Sequence, residues 1–291
     1  MKQLCKLVIF VSLGLSGAAL ESAAPGVFLP LIAIGSDHTP TSVTVDSLVI
    51  TDQKMRVTGA TLIRGADLPL ELGIMIDASS SQRDAHLDDY LKAARQFMDD
   101  TIRGAADRVF FIQFEGTQHA TRWLKKEELQ GTSFKIEIGG GTALYDALGM
   151  ACKQRMGPRD WRKPTRRVLV LISDGEDNLS HITREDAASE VLRAGAVIFT
   201  INPTDLRNSF MGEKILVKLA NLTGGLSFNQ IGRKAIPDVF ARIHEIIDGM
   251  YYLSYMPPDA SKSAVHQVEV KPRAPQEKVE LSYAKKYFWN R

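Results

Sequence analysis

Apolar residues in this chain gather into short continuous runs, and between the runs they recur at helical spacing. Residues 70–76, 108–114, 167–172 and 196–201 are near-unbroken blocks of Leu, Ile, Val and Phe, the pattern of strands buried on both faces. Leu87, Leu91, Ala94, Phe97, Met98 and Ile102 repeat with helical period and predict a helix over 83–102, stopped by Gly104. Leu144, Ala147, Leu148 and Ala151 mark a second helix over 142–156. A third spans 183–193, capped by Thr183 and ended by Gly195. Two more follow at 215–222 and 236–250, the last with Val239, Phe240, Ile243, Ile246 and Ile247 on its inward face. Strands and helices in alternation predict an α/β fold: a doubly wound, Rossmann-like, mostly parallel sheet flanked by helices.

The flanks read differently. Val43, Val45, Leu48 and Ile50 alternate and predict a strand over 42–50, with a turn at 52–54 and a second strand over 57–63. Residues 28–34 are apolar, but Gly35, Ser36, Asp37 and Pro40 break the pattern, so 25–41 reads as a linker or edge segment. A short edge strand is expected at 120–124. After the last helix, 251–256 is a strand, Pro257-Pro258-Asp259 a turn, and 265–270 and 279–283 alternate again. The main domain is thus expected at 67–255, with a linker and β segment at 25–66 and a β extension at 256–291. These small amino- and carboxyl-terminal β extensions either lengthen the sheet or pack as an appendage.

Composition narrows the class. The 291 residues are 44% hydrophobic and 24% charged, ordinary values for a globular chain. Net charge is +2 with acids and bases interspersed, which gives a nucleic-acid partner no electrostatic support. Lys2 and Lys6, the apolar stretch 7–20, then Ser22, Ala23 and Ala24 follow the order of a signal peptide over 1–24. The apolar stretch is short for a membrane span. An exported protein, periplasmic or extracellular, is therefore expected, with no stable span after cleavage. Removing the leader removes Cys5 and leaves Cys152, which falls on an apolar helix face as a small buried hydrophobe rather than a nucleophile.

Candidate chemistry lies where two strands end and one helix starts. The block 70–76 runs into Asp77-Ala78-Ser79-Ser80-Ser81, and the block 167–172 into Ser173-Asp174-Gly175. Gly139-Gly140-Gly141 precedes Thr142 at a helix start. In a doubly wound fold, ligands bind at the carboxyl ends of strands. The donors are hard oxygens, which favour Mg²⁺, Mn²⁺ or Ca²⁺ over zinc, copper or iron–sulfur centres. Two carboxylates are too few for a closed cage, so water or an acidic group of another molecule must complete the shell. The histidines at 38, 86, 119, 181, 244 and 266 have no metal-ligand spacing. No G-x-S-x-G elbow is present, and the three glycines are not followed by G-K-[ST].

The ordered set Asp77-x-Ser79-x-Ser81, Gly141-Thr142-Ala143-Leu144-Tyr145-Asp146-Ala147-Leu148 and Ser173-Asp174-Gly175 closely resembles the metal-ion-dependent adhesion site of von Willebrand factor type A domains, over about residues 67–255. The resemblance implies that Asp77, Ser79, Ser81, Thr142 and Asp174 coordinate a divalent cation directly or through water. Mg²⁺ is the implied ion, with Mn²⁺ or Ca²⁺ as alternatives, and an Asp or Glu of a protein partner often supplies the last ligand. Two positions depart from the pattern: Ser80 stands where many members have Gly, and Gln82 where many have Met or another apolar residue. The tail, residues 251–258 with Val268-Glu269-Val270-Lys271 and Tyr283, is similar to the end of exported bacterial VWFA-related proteins of the acidobacterial type. The function so implied is an exported binding protein of adhesion or complex assembly, not an enzyme. Two readings compete with it: a metal-dependent hydrolase or phosphotransferase, and an envelope scaffold with an inactive site. Against the first, no general base is evident beside the motif. Asp146, one turn after Thr142, is either a residue orienting water or Ser hydroxyls, or a plain helix-face carboxylate. Asp84 is a weaker candidate for a second cation site, and Glu176, Asp177 and His181 are read as loop residues near the first.

Overall fold

The computed structural model describes residues 26–82, 87–203, 210–261, 263–274 and 278–290. The leader and Asp84 lie outside them. In chain order the strands are β1 (Val27–Ile34), β2 (Leu48–Asp52), β3 (Met55–Arg56), β4 (Thr61–Arg64), β5 (Leu70–Asp77), β6 (Arg108–Phe114), β7 (Gln118–Ala120), β8 (Arg166–Ile172), β9 (Val197–Ile201), β10 (Ser227–Phe228), β11 (Tyr251–Tyr255), β12 (Ala264–Pro272), β13 (Glu280–Tyr283) and β14 (Lys286–Trp289). The helices are α1 (Leu87–Thr101), α2 (Lys126–Leu129), α3 (Leu144–Gly149), α4 (Arg184–Ala194), α5 (Phe210–Thr223) and α6 (Ile236–Gly249). A π-helical segment, Met150–Met156, continues α3.

The four apolar blocks lie side by side in a six-stranded sheet of order β10-β9-β8-β5-β6-β7. All neighbours are parallel except β7, which runs antiparallel to β6 at the edge. The chain enters this sheet at β5, passes to β6 on one side, and returns to β8 on the other. The order therefore reverses between β5 and β8, the topological switch point at which such sheets open a crevice.

Side-chain alternation divides the sheet between two cores. Leu72, Ile74 and Ile76 of β5 and Val168, Val170 and Ile172 of β8 pack with Phe97 of α1 and Ile243 and Ile247 of α6. Met75, Phe110, Ile112, Leu169 and Leu171 face the other way, onto Leu148 of α3, Val191 of α4 and Leu216 of α5. Gly73 sits where Leu169 and Phe110 close over β5; a Cβ there would lie 2.4 Å from one and 2.5 Å from the other. Thr183 caps α4 with its side chain, and Gly195 ends it in the left-handed conformation. Cys152 is buried, and burial pushes its thiol pKa up to about 12, the property of a packing residue.

The flanking segments form two further four-stranded antiparallel sheets, β13-β1-β11-β4 and β14-β12-β2-β3. Each mixes strands from both ends of the chain. β1 is an inner strand, not a linker or an edge, because it pairs with β11 on one side and β13 on the other. Leu29 and Leu31 enter the core between the two flanking sheets, while Ile32 and Ile34 join the core of α1 and α6. Burial on both faces explains its continuous apolar run. Trp161, from the segment ahead of β8, inserts into the flanking core, its ring 5.9 Å from both Tyr287 and Trp289.

One buried carboxylate ties the two flanking sheets together. Asp52 of β2 accepts hydrogen bonds from Tyr255 of β11 at 2.9 Å and Tyr287 of β14 at 2.5 Å, and its other oxygen lies 2.9 Å from Nδ1 of His266 on β12. Burial pushes both phenol pKa values up, so both stay protonated donors. Other expected boundaries shift. Val45–Ser47 is a 3₁₀ turn rather than strand, β4 starts at Thr61, and the edge strand falls at Gln118–Ala120. No helix among the described residues is long and apolar enough to cross a membrane.

Candidate metal centre

At the switch point β5 ends in Asp77, fully buried. The Ala78 N–H still bonds the Phe114 carbonyl at 2.7 Å, and the chain then turns through a 3₁₀ segment, Ser80–Gln82. Asp77 Oδ1 accepts from the Ser79 N–H at 2.9 Å, an Asx-type turn that folds the two serines back over the strand end. Beside it β8 ends in Ile172, and the Ser173 hydroxyl donates to Asp77 Oδ2 at 2.7 Å. Asp174 follows, with Oδ1 accepting from the Glu176 N–H at 3.1 Å and Oδ2 from the Ser81 hydroxyl at 2.7 Å. Ser79 and Ser81 hydroxyls are 3.1 Å apart. Gly175 has φ +82°, and a Cβ on it would stand 2.2 Å from the Gly212 carbonyl oxygen. Only glycine lets the chain leave Asp174 this way.

Thr142 arrives on the glycine loop, which backbone bonds stitch to the serine turn. Gly139 N–H donates to the Ala78 carbonyl at 2.9 Å, and Ser80 N–H to the Gly140 carbonyl at 3.0 Å. Asn178 holds the loop from the other side. Its Oδ1 accepts from the Thr142 N–H at 2.8 Å, and the Thr142 carbonyl accepts from the Asn178 and Leu179 N–H groups, both at 2.9 Å. The structure thus brings all five candidate residues to the carboxyl ends of β5 and β8. Asp77, Ser79, Ser81 and Asp174 are connected by their side chains, and Thr142 through the paired backbone.

Burial pushes the Asp77 pKa up to about 6; the bonds from Ser173 and Ser79 pull it down, and the charge of Asp174 raises it further. Among the described residues no ion pair involves Asp77 or Asp174. Two adjacent buried carboxylates with hydroxyl neighbours and no basic partner have the composition of a site for a hard dication. Among the described residues no cluster of three His, Cys, Asp or Glu has metal-binding geometry, so such an ion would depend on the hydroxyls.

Three supporting residues had no assigned role in the sequence reading. Ser173 was visible only as part of the Ser173-Asp174-Gly175 run. Asn178 carried no signal, because its partner lies 36 residues away. Gln82, a departure from the family pattern, is fully buried; its Nε2 donates to the Ser81 hydroxyl at 3.3 Å and its Oε1 has no partner among the described residues. Asp146 turns to another task. Its carboxylate accepts from the His181 and Ile182 N–H groups at 3.0 Å and lies 2.8 Å from His181 Nδ1, so it anchors the loop after Asp174 rather than orienting the serine hydroxyls. Burial raises its pKa, but these bonds outweigh burial and hold it below the usual carboxylate value. His181 is an exposed loop residue.

The sequence profile of the von Willebrand factor type A domain matches residues 71–230. No curated protein matches the chain. Among solved structures, proximal thread matrix protein 1 from the mussel byssus, solved with a zinc-occupied MIDAS motif, superposes with a TM-score of 0.52 at 18% identity, covering 66% of this chain and 49% of that one. This chain therefore spans about half the length of the mussel protein. A von Willebrand factor type A protein from Catenulispora acidiphila gives a TM-score of 0.48 at 11% identity, covering 92% of this chain and 74% of that one.

Proposed function

The chain belongs to the von Willebrand factor type A domain family, and from that premise we propose that Asp77, Ser79, Ser81, Thr142 and Asp174 hold a divalent cation through which an exported protein grips an acidic group of a protein partner. Mg²⁺ is the preferred ion, with Mn²⁺ or Ca²⁺ as substitutes. The observation that carries this reading is the pair of buried carboxylates, Asp77 and Asp174, linked through Ser79 and Ser81 and facing no basic side chain among the described residues. Asp77 and Asp174 supply negative charge, the three hydroxyls supply neutral oxygens, and Ser173 and Gln82 fix the orientation of Asp77 and Ser81. A bound dication there supplies a positive centre for an incoming carboxylate. The role is binding rather than turnover, since His181, the histidine nearest Asp174 in the chain, is committed to Asp146. Secretion to the periplasm or beyond is part of the proposal and rests on the amino-terminal pattern.

Calorimetric titration of the metal-stripped protein with Mg²⁺, Mn²⁺, Ca²⁺ and Zn²⁺ tests it, with Asp77→Ala as control. Saturable binding that the substitution abolishes is the expected result. The zinc arm asks whether the ion held by the mussel protein suits this donor set as well. Binding that survives in Asp77→Ala would move the ion elsewhere and end this reading of the site.

A further inference from the structure

Six large hydrophobic side chains are exposed among the described residues, and three of them, Ile138, Leu179 and Met211, stand at the candidate metal centre. Each is fixed to a different part of it. Leu179 is 48% exposed, although its N–H bonds the Thr142 carbonyl at 2.9 Å. Its Cδ1 lies across Gly116 and Gly141, where a Cβ would come within 3.0 and 2.9 Å. The two glycines therefore leave the berth in which this leucine rests. Met211, 64% exposed, precedes Gly212, whose backbone packs directly on the Asp174 carbonyl. Ile138, 44% exposed, precedes Gly139, which bridges to Ser79. Apolar surface is thus attached beside Thr142, Asp174 and Ser79. Exposed apolar side chains around a polar site mark a contact area for another molecule.

Charge narrows what that molecule is. The Glu115 carbonyl accepts from the Ala143 N–H at 2.7 Å, and bonds from Thr117 and Gly116 hold its carboxyl below the usual range, so it is ionised. Glu176 and Asp177 follow Asp174 in the chain. A partner carrying several acids meets repulsion from these three. A single carboxylate aimed at the cation, with apolar neighbours, does not.

We infer that this rim selects a protein segment presenting one Asp or Glu between bulky apolar residues, over segments whose acid is flanked by polar or further acidic ones. The inference rests on the proposed cation site and adds the chemistry of its partner. Burying the rim side chains against apolar neighbours gives about tenfold preference.

The test is selection from phage-displayed random linear peptides on the full chain in Mn²⁺, with elution by EDTA. The expected pool carries an acidic residue flanked by Leu, Ile, Phe, Met or Val well above the starting library. In Leu179→Ser/Met211→Ser, Mn²⁺ binding by titration stays unchanged while that enrichment falls about tenfold. An EDTA-released pool with an acid but no apolar flanks overturns the inference and leaves the cation site standing, as does enrichment that persists in the double variant. A pool that EDTA does not release overturns both.

Discussion

Asp77 carries an unusual proton balance, and burial sets its sign. Its folded-state pKa, about 6, lies above the ordinary 3.8. The metal-free fold therefore gains from this group fully below about pH 4, and loses that gain as pH rises through about 6. A bound dication favours the carboxylate and reverses the trend. Saturating Mg²⁺ or Mn²⁺ should thus raise Tm more at about pH 7.5 than at about pH 5, read by scanning fluorimetry. Equal shifts at the two values would remove Asp77 from the ligand set. Ser173→Ala removes the hydroxyl that donates to Asp77 Oδ2, and should weaken metal binding by about 10- to 100-fold in calorimetry. The five donor candidates were legible because each belongs to a short motif at a strand or helix boundary. Gln82 and Asn178 were not, since what they touch is decided by how separate loops meet. Asp146 shows the converse: correct spacing after Thr142, but its oxygens are taken by backbone donors of another loop.

Strands β5, β6, β8 and β9 were legible to within about a residue because a strand covered on both faces writes its burial directly into the sequence. Gly73→Ala tests how tightly that core is closed: the added methyl meets Leu169 and Phe110, and should cost about 1–3 kcal/mol in urea unfolding. No cost would mean that both side chains have room to move aside. The flanking strands were harder to read. β1 carries the apolar run of an inner strand, but Gly35 and Pro40 behind it resemble a linker, and its partners are at the other end of the chain. β14, four residues long, offers too little alternation to recognise. The Asp52 cluster is likewise invisible in sequence, since its members come from four strands. Asp52→Ala leaves Tyr255, Tyr287 and His266 without their shared acceptor, and should destabilise the fold by about 3 kcal/mol or more. An unchanged denaturation midpoint would show that water replaces the carboxylate.

For the whole molecule, the family-like segment is not a self-contained body. Tyr252 of β11, Ile32 and Ile34 of β1 and Met250 share one core with α6, and Trp161 reaches into the flanking sheets. A fragment of residues 67–255 exposes that surface, and should melt well below the full chain or fail to give a cooperative transition in circular dichroism. A fragment as stable as the full chain would show the flanking sheets to be an ornament. The pairing of β1 also orders events in time. Its neighbours, β11 and β13, come after every strand of the central sheet, so a nascent chain carries β1 as an unpaired apolar strand until they have been made. The central sheet can close early, whereas β1 must wait. In pulse-labelling hydrogen exchange, amides of β5 and β8 should gain protection first and those of β1 last, leaving that strand extended for longest.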